Sequence, residues 1–377
     1  MLPVRFFRPP WRALLMLCCP SFNPARLVRA AALALALVSA VAGRPATAQP
    51  APAMRLQIVG GLASLNQFNR HEEPFWTQEL ARLSDGQFDA DIVPFDRAGV
   101  PGADMLRMMQ LGVVPFGTVL LSAMATQFPQ FSAPDLAGLN PDMASLKKNL
   151  AAFRPYLQKE LRERHSIEAL AVYVYPAQVF FCVRPLTKLN DLAGRRVRVS
   201  SPTQADFVKA LGGVPVLTGF AQMMTSMASN NTECAITGTM SGNTLGLHEV
   251  TGHVHALPVT WGLAVFGVNR TAWDSLPPDL RALLSRELPK LETRIWAESE
   301  RETADGMACN TGAPSCRLGR KGRMTEVPVS AQDERTRQAL FRDVILPRWL
   351  ARCGAQCAKV WNQTLGATHG MAARPAQ

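Results

Sequence analysis

The chain has 377 residues, with 40 Lys and Arg against 29 Asp and Glu, and so a formal charge of +11 at neutral pH. Six of those charges are arginines within residues 1–48 (Arg5, Arg8, Arg12, Arg26, Arg29, Arg44), a stretch without acids, so the remainder carries only +5. No basic run with interleaved aromatics follows residue 48, which excludes a nucleic-acid-binding stripe, and the 329 residues left exceed what one core usually serves, which predicts two domains.

Arg26 and Arg29 lead into an apolar run at 30–43, and Ala46-Thr47-Ala48 follows as a small-residue cleavage site. This is the order of a secretory signal over residues 1–48, and the run is too short to span a bilayer. Beyond it, short apolar runs alternate with helical periodicities, which predicts an α/β fold. LQIVGG (56–61) reads as a buried strand; Trp76, Leu80 and Leu83 mark a helix face; FDADIVPF (88–95) is a second strand. A helix around Met105, Met108 and Met109 ends at Gly112, and 114–122 is a third strand. The β-α-β-α-β order predicts a parallel sheet covered by helices.

VYVYPAQVFFCV (172–183) is one extended stretch, long enough to cross from one lobe to another, and LAVFGVN (263–269) is a second such run. Between them lie a strand at 195–200, a helix through Phe207 and Leu211, and a strand at 214–217. Pro277 and Pro278 open a long helix striped by Leu284, Leu288, Leu291 and Ile295, in which Pro289 predicts a kink.

Six cysteines follow the leader, and export to an oxidising compartment makes disulfides the expectation. Two bridges are expected among Cys309, Cys316, Cys353 and Cys357, with the connectivity open; their spacing fits a zinc site poorly. Cys234, in an apolar strand, is expected to be buried and inert or bridged to Cys182. The enzyme alternative would pair Cys234 with His248 as thiol and base, or use His253 and His255 as a metal pair. Neither has a third member at a recognisable spacing, and His253 and His255 are expected to be solvated.

NDLAGRRVRVSSPTQADFVKALGGVPV (190–216) resembles the second-lobe core of the DctP-like substrate-binding proteins of TRAP transporters. The segment GFAQMMTSMASNNTECAITGTMSG (219–242), with Phe220 in place, and NRTAWDSLPPDLRALL (269–284) are similar to the same family, and ELARLSDGQFDADIVPFDRAGVPGADMLRMMQLG (79–112) follows its layout more loosely. The resemblance spans about Met54 to Trp349; the Cys-rich tail from Cys309 lies outside the general pattern. It implies a two-lobed, type II periplasmic-binding-protein-like fold of the TRAP kind, with crossing strands and a long bracing helix. Lobe I is expected at 54–176 and 264–305, and lobe II at 177–263 and 306–377.

The resemblance also implies a site. Arg198 occupies the family position that pairs with a ligand carboxylate, a role suited to a planar, permanently charged fork of donors. Strand alternation alone leaves Arg196 as a rival, since both fall on one face and Arg195 on the other. Gln178 stands where many members have a second arginine, and Thr237 where they have asparagine. One cation instead of two points to a monocarboxylate, or an oxo- or hydroxy-acid, over a dicarboxylate. Ser64, Asn66, Gln67 and Phe68 are candidates from the loop after the first strand; Phe180 or Phe181 offers an apolar wall, and Trp261 a cover. The implied protein is periplasmic and monomeric, needs no cofactor or metal, and meets the membrane only through TRAP permease subunits. An orphan binding protein serving a sensor is the alternative.

Overall fold

The computed structural model describes residues 54–374; the leader read at 1–48 lies outside them. β1 (Met54–Gly60), β2 (Phe88–Pro94) and β3 (Phe116–Leu120) are parallel, in spatial order β2-β1-β3. Helical segments Gln67–Glu72, Phe75–Glu79 and Leu80–Leu83 connect the first pair, and Met105–Gln110 lies between the second and third strands. Trp76 and Leu80 are fully buried on this connection, as their spacing predicts.

The helix Met143–His165 leads into β4 (Ile167–Val174), and β5 (Gln178–Cys182) then begins a second sheet. The stretch expected as one long strand is therefore two. Pro176 has no N–H for a ladder, and the chain leaves one sheet for the other at that point. β6 (Arg196–Val199) pairs in parallel with β7 (Val214–Leu217) and β8 (Cys234–Gly238). β5 lies antiparallel between β8 and β9 (His253–Thr260). The chain crosses back at Trp261-Gly262, and β10 (Leu263–Asn269) inserts antiparallel between β3 and β4. β11 (Thr325–Val327) edges the second sheet beside β9.

The two crossings are tied together, because the Tyr175 N–H donates to the Gly262 carbonyl at 3.0 Å. Gly262 has φ +84°, a backbone conformation that favours glycine, and a Cβ there would fall 2.5 Å from Gln178 Nε2 and displace that side chain. The long helix Pro278–Thr311 braces both sheets. Its stripe of Leu284, Leu288, Leu291 and Ile295 is buried in one cluster with Tyr173 of β4 and Phe266 of β10. It continues as one helix through Pro289, where packing along the apolar face offsets the lost hydrogen bond. Farther along, a Cβ at Gly306 would collide with the backbone of Met240, so this helix rests directly on the helix Thr239–Leu245 that follows β8.

The C-terminal helices touch elements beside both sheets. Trp349 Nε1 donates to the Pro129 carbonyl at 2.7 Å, and His369 bonds Asn149 at 2.9 Å. Arg348 and Arg352 reach Asp206, on the helix Pro202–Ala210 between β6 and β7. Three disulfides are present: Cys182–Cys234 joins directly opposed residues of β5 and β8, Cys309–Cys316 staples the end of the long helix, and Cys353–Cys357 spans a helical break at Gly354.

Candidate functional site

A cavity of about 510 Å³ opens between the two sheets, within the size range of small-molecule sites. Its walls come from the carboxyl ends of β1, β2, β3, β6, β7 and β8 and from the crossings, where loops leave an α/β sheet and ligands collect. Its apolar lining is Leu62, Leu65, Phe95, Leu120, Leu217 and Phe220, and its polar lining includes Arg198, Gln178, Thr237, Ser200 and Thr218.

Arg198 is 3% exposed. On β6 its neighbours Val197 and Val199 point into the core, so alternation turns Arg198 to the cavity face. Its Nε donates to the Thr218 carbonyl at 3.0 Å and its Nη1 to the Ile236 carbonyl at 2.8 Å, which fixes the guanidinium plane. Among the described residues no carboxylate lies within ion-pair distance of it, and burial lowers its pKa to about 10. It stays charged at neutral pH while lacking a counter-ion, a costly state that an exogenous anion would relieve. The rival Arg196 is exposed at the other end of the strand, where it donates to the Asn230 and Asn231 carbonyls and faces Glu233. Arg195 is spent on the Arg184 and Pro185 carbonyls.

Gln178 Oε1 is occupied, accepting from Gln204 Nε2 at 2.6 Å and Thr260 Oγ1 at 3.0 Å, so its amide N–H groups are what remain for the cavity. Thr237 is buried on β8 with its hydroxyl free of protein partners among the described residues. These three expected residues meet at one cavity. The others do not reach it. Asn66 donates to Glu302, and Gln67 Nε2 donates to Glu72 at 2.8 Å. Phe68 is core beneath Gly60, and Ser64 is partly exposed without lining the cavity. Phe180 packs toward Phe207 inside the second sheet. Trp261 is buried with Nε1 donating to the Asn140 carbonyl at 3.2 Å. The loop after β1 still contributes, through Leu62 and Leu65 rather than its polar residues; Glu72 holds the loop in place, its carboxylate accepting the Gly61 N–H at 2.9 Å as well as Gln67. Ser122, Thr126, Ser200, Thr218 and Tyr175 line the cavity unforeseen. Their shared signal is position, within a few residues of a strand's carboxyl end.

Three carboxyls around the crossings, Glu72, Asp135 and Glu302, are pushed up to about 7 by desolvation. For Glu302 the folded chain holds a proton that the unfolded chain releases between about pH 4.5 and 7, so its contribution to stability is present at low pH and lost as pH rises through 7. Glu302→Gln, uncharged throughout, is expected to melt close to the parent at pH 5 and above it at pH 8; a difference that does not grow with pH would contradict this.

The enzyme alternative does not stand. Cys234 is bonded to Cys182 and is no thiol nucleophile. His255, expected to be solvated, is fully buried with Nε2 3.6 Å from Asp333 and Nδ1 accepting the Leu257 N–H, while His253, two residues earlier on the same face of β9, is partly exposed at the start of the strand. Among the described residues no group of His, Cys, Asp and Glu could hold a metal, and no helix is long and apolar enough to cross a membrane.

Two sheets joined by paired crossings around a cavity that presents a buried, uncompensated cation define a bilobal solute-binding protein. Residues 64–309 match the family described as "Bacterial extracellular solute-binding protein, family 7", and the chain belongs to that family. It is 25% identical over 274 residues to the C4-dicarboxylate-binding periplasmic protein DctP of Rhodobacter capsulatus, covering 72% of this chain and 78% of that one. Its fold is shared with DctP7 of Bordetella pertussis, an extracytoplasmic solute receptor binding pyroglutamic acid (TM-score 0.72, 20% identity, 82% of this chain and 99% of that). A TRAP periplasmic solute-binding protein of Desulfovibrio salexigens with bound orotic acid is equally similar in fold (TM-score 0.72, 18% identity, 82% and 96%). The family and these neighbours are receptors, and the chain is a receptor rather than an enzyme.

Proposed function

We propose that this protein captures a small organic carboxylate in the interlobe cavity, in the periplasm, and hands it to the membrane subunits of a TRAP-type permease. The observation that carries the reading is Arg198, a buried guanidinium with two of its donors anchored on carbonyls and no acid beside it. A ligand carboxylate supplies the missing charge, and Gln178 and Thr237 orient it. Among the described residues, Arg198 and exposed Asp96 are the only charged ones lining the cavity, so a second carboxylate on the ligand would find no cation there. Leu62, Leu65, Phe95 and Phe220 suit an apolar body. The reading is therefore a monocarboxylate, or an oxo- or hydroxy-acid, with an apolar portion. The relatives above bind a C4-dicarboxylate, pyroglutamic acid and orotic acid, all of them organic acids. Ligand contacts made to both sides of the cleft favour the closed arrangement of the lobes, which is the state a permease would read.

Thermal denaturation against a graded panel of acids tests this. A ligand bound only by the folded state raises the melting temperature with its concentration. Monocarboxylates are expected to shift it and their dicarboxylate counterparts to do so less. A stronger response to dicarboxylates would overturn the single-cation site, and no response to any acid would overturn the carboxylate reading.

A further inference from the structure

The loop that follows the long helix is built unlike the rest of the surface. Residues 306–325 contain no acid, and Arg317, Arg320, Lys321 and Arg323 fall within seven consecutive positions, supplying a charge equal to four of the +5 carried after residue 48. All four are exposed. The family match stops at residue 309, the first cysteine of the staple.

Its backbone is held in place by hydrogen bonds to the long helix and to Asn243. The Arg317 and Leu318 N–H groups donate to Asp305, both at 2.7 Å, and the Gly322 N–H donates to the Cys309 carbonyl at 2.7 Å. Asn243 clasps Arg320 from both sides, accepting its N–H at 2.8 Å and donating to its carbonyl at 2.7 Å. Gly319 is needed there, because a Cβ would collide with the Asn243 amide. The bridge Cys309–Cys316 closes the base. Of the four cations only Arg320 meets an acid, Glu249 at 3.2 Å; Arg317, Lys321 and Arg323 have none within 4 Å among the described residues.

We propose that this stapled loop docks the protein on an anionic phospholipid surface. An ordered backbone that projects unpaired cations presents charge without the entropic loss of ordering it on contact. A protein partner would call for an apolar or aromatic anchor at the centre of the patch, and among the described residues no large apolar side chain is exposed between Cys309 and Val327. A charged, fluid bilayer surface needs no such anchor and attracts each basic residue additively. Held there, a receptor would search for a permease in two dimensions instead of three. The proposal does not depend on which solute is bound.

The test is sedimentation of the protein, without its leader, with vesicles of phosphatidylcholine alone or mixed with phosphatidylglycerol. Binding is expected only to the mixed vesicles and is expected to weaken as salt is added. Each cation contributes about fivefold to the partition coefficient. The combined variant Arg317→Gln, Arg320→Gln, Lys321→Gln, Arg323→Gln should therefore lose roughly a hundredfold or more. The same variant should keep the parent's melting temperature and acid-induced shift, which separates loss of docking from misfolding and from failure of the ligand reading. Equal sedimentation of variant and parent, or no sedimentation of the parent, would overturn the proposal. So would capture of the parent by an acidic peptide surface but not by vesicles, which would point to a protein partner.

Discussion

Arg198→Ala is expected to weaken carboxylate binding by roughly 2–5 kcal/mol, a loss of about thirtyfold to a few thousandfold. The size follows from burial: the pair would form out of water, where removing one partner leaves the other unpaired. Arg198→Lys keeps a charge but loses the fork, so it should fall between parent and alanine variant. The unliganded protein should hardly notice. Losing the two donors to the Thr218 and Ile236 carbonyls is offset by no longer burying an uncompensated charge, so the melting temperature of Arg198→Met should lie within a few degrees of the parent's. Titration of the best acid against the three variants decides it. Unchanged affinity in Arg198→Ala would remove the residue from the site. Arg196→Ala serves as the contrast and should bind normally, because its guanidinium is engaged with Asn230, Asn231 and Glu233 at the opposite end of the strand.

Asp135→Ala is expected to be the most destabilising single change at the crossings. Where the chain returns from the second sheet to the first, the Asp135 carboxylate accepts the Gly262 N–H at 2.8 Å and the Trp261 N–H at 3.0 Å, and the Asn140 amide at 3.3 Å. Those backbone groups sit between two ladders and belong to neither. Alanine leaves three donors without their acceptor, at roughly 1–3 kcal/mol for each that stays buried. A loss of about 3 kcal/mol or more, and a melting temperature lower by roughly 6–12 °C, should follow. Asp135→Asn retains one acceptor oxygen and should lose much less. If alanine and asparagine variants melt together, the cap is not what holds the crossing.

The fold was largely legible because its signals are local. The three first strands and their helical connections, the parallel order, and the stripe Leu284–Leu288–Leu291–Ile295 all follow from periodicity and turn residues. The two crossings were legible as over-long extended runs, yet the break at Tyr175-Pro176 appears only when two sheets are there to receive the halves. Pro289 sits inside a helix that the apolar stripe predicted to continue past it, and the packed face carries the helix through.

The site was legible in its charge and not in its rim. Alternation could not separate Arg198 from Arg196, since both point to one face of β6; what separates them is distance along the strand, one at the carboxyl end inside the cleft and one at the exposed amino end. The polar residues of the 64–68 loop do not line the cavity, and two of them are engaged elsewhere in the chain. The Gln67 and Asn66 amide N–H groups donate to Glu72 and Glu302, partners 5 and 236 positions away in the chain. The sequence by itself determined the α/β class and the family, and singled out one arginine as the candidate for a ligand carboxylate, because hydrophobic period and motif spacing are properties of neighbouring residues. Only the tertiary structure decided which polar groups remain free to meet a ligand, because a buried donor or acceptor is available only when no other part of the chain has already satisfied it.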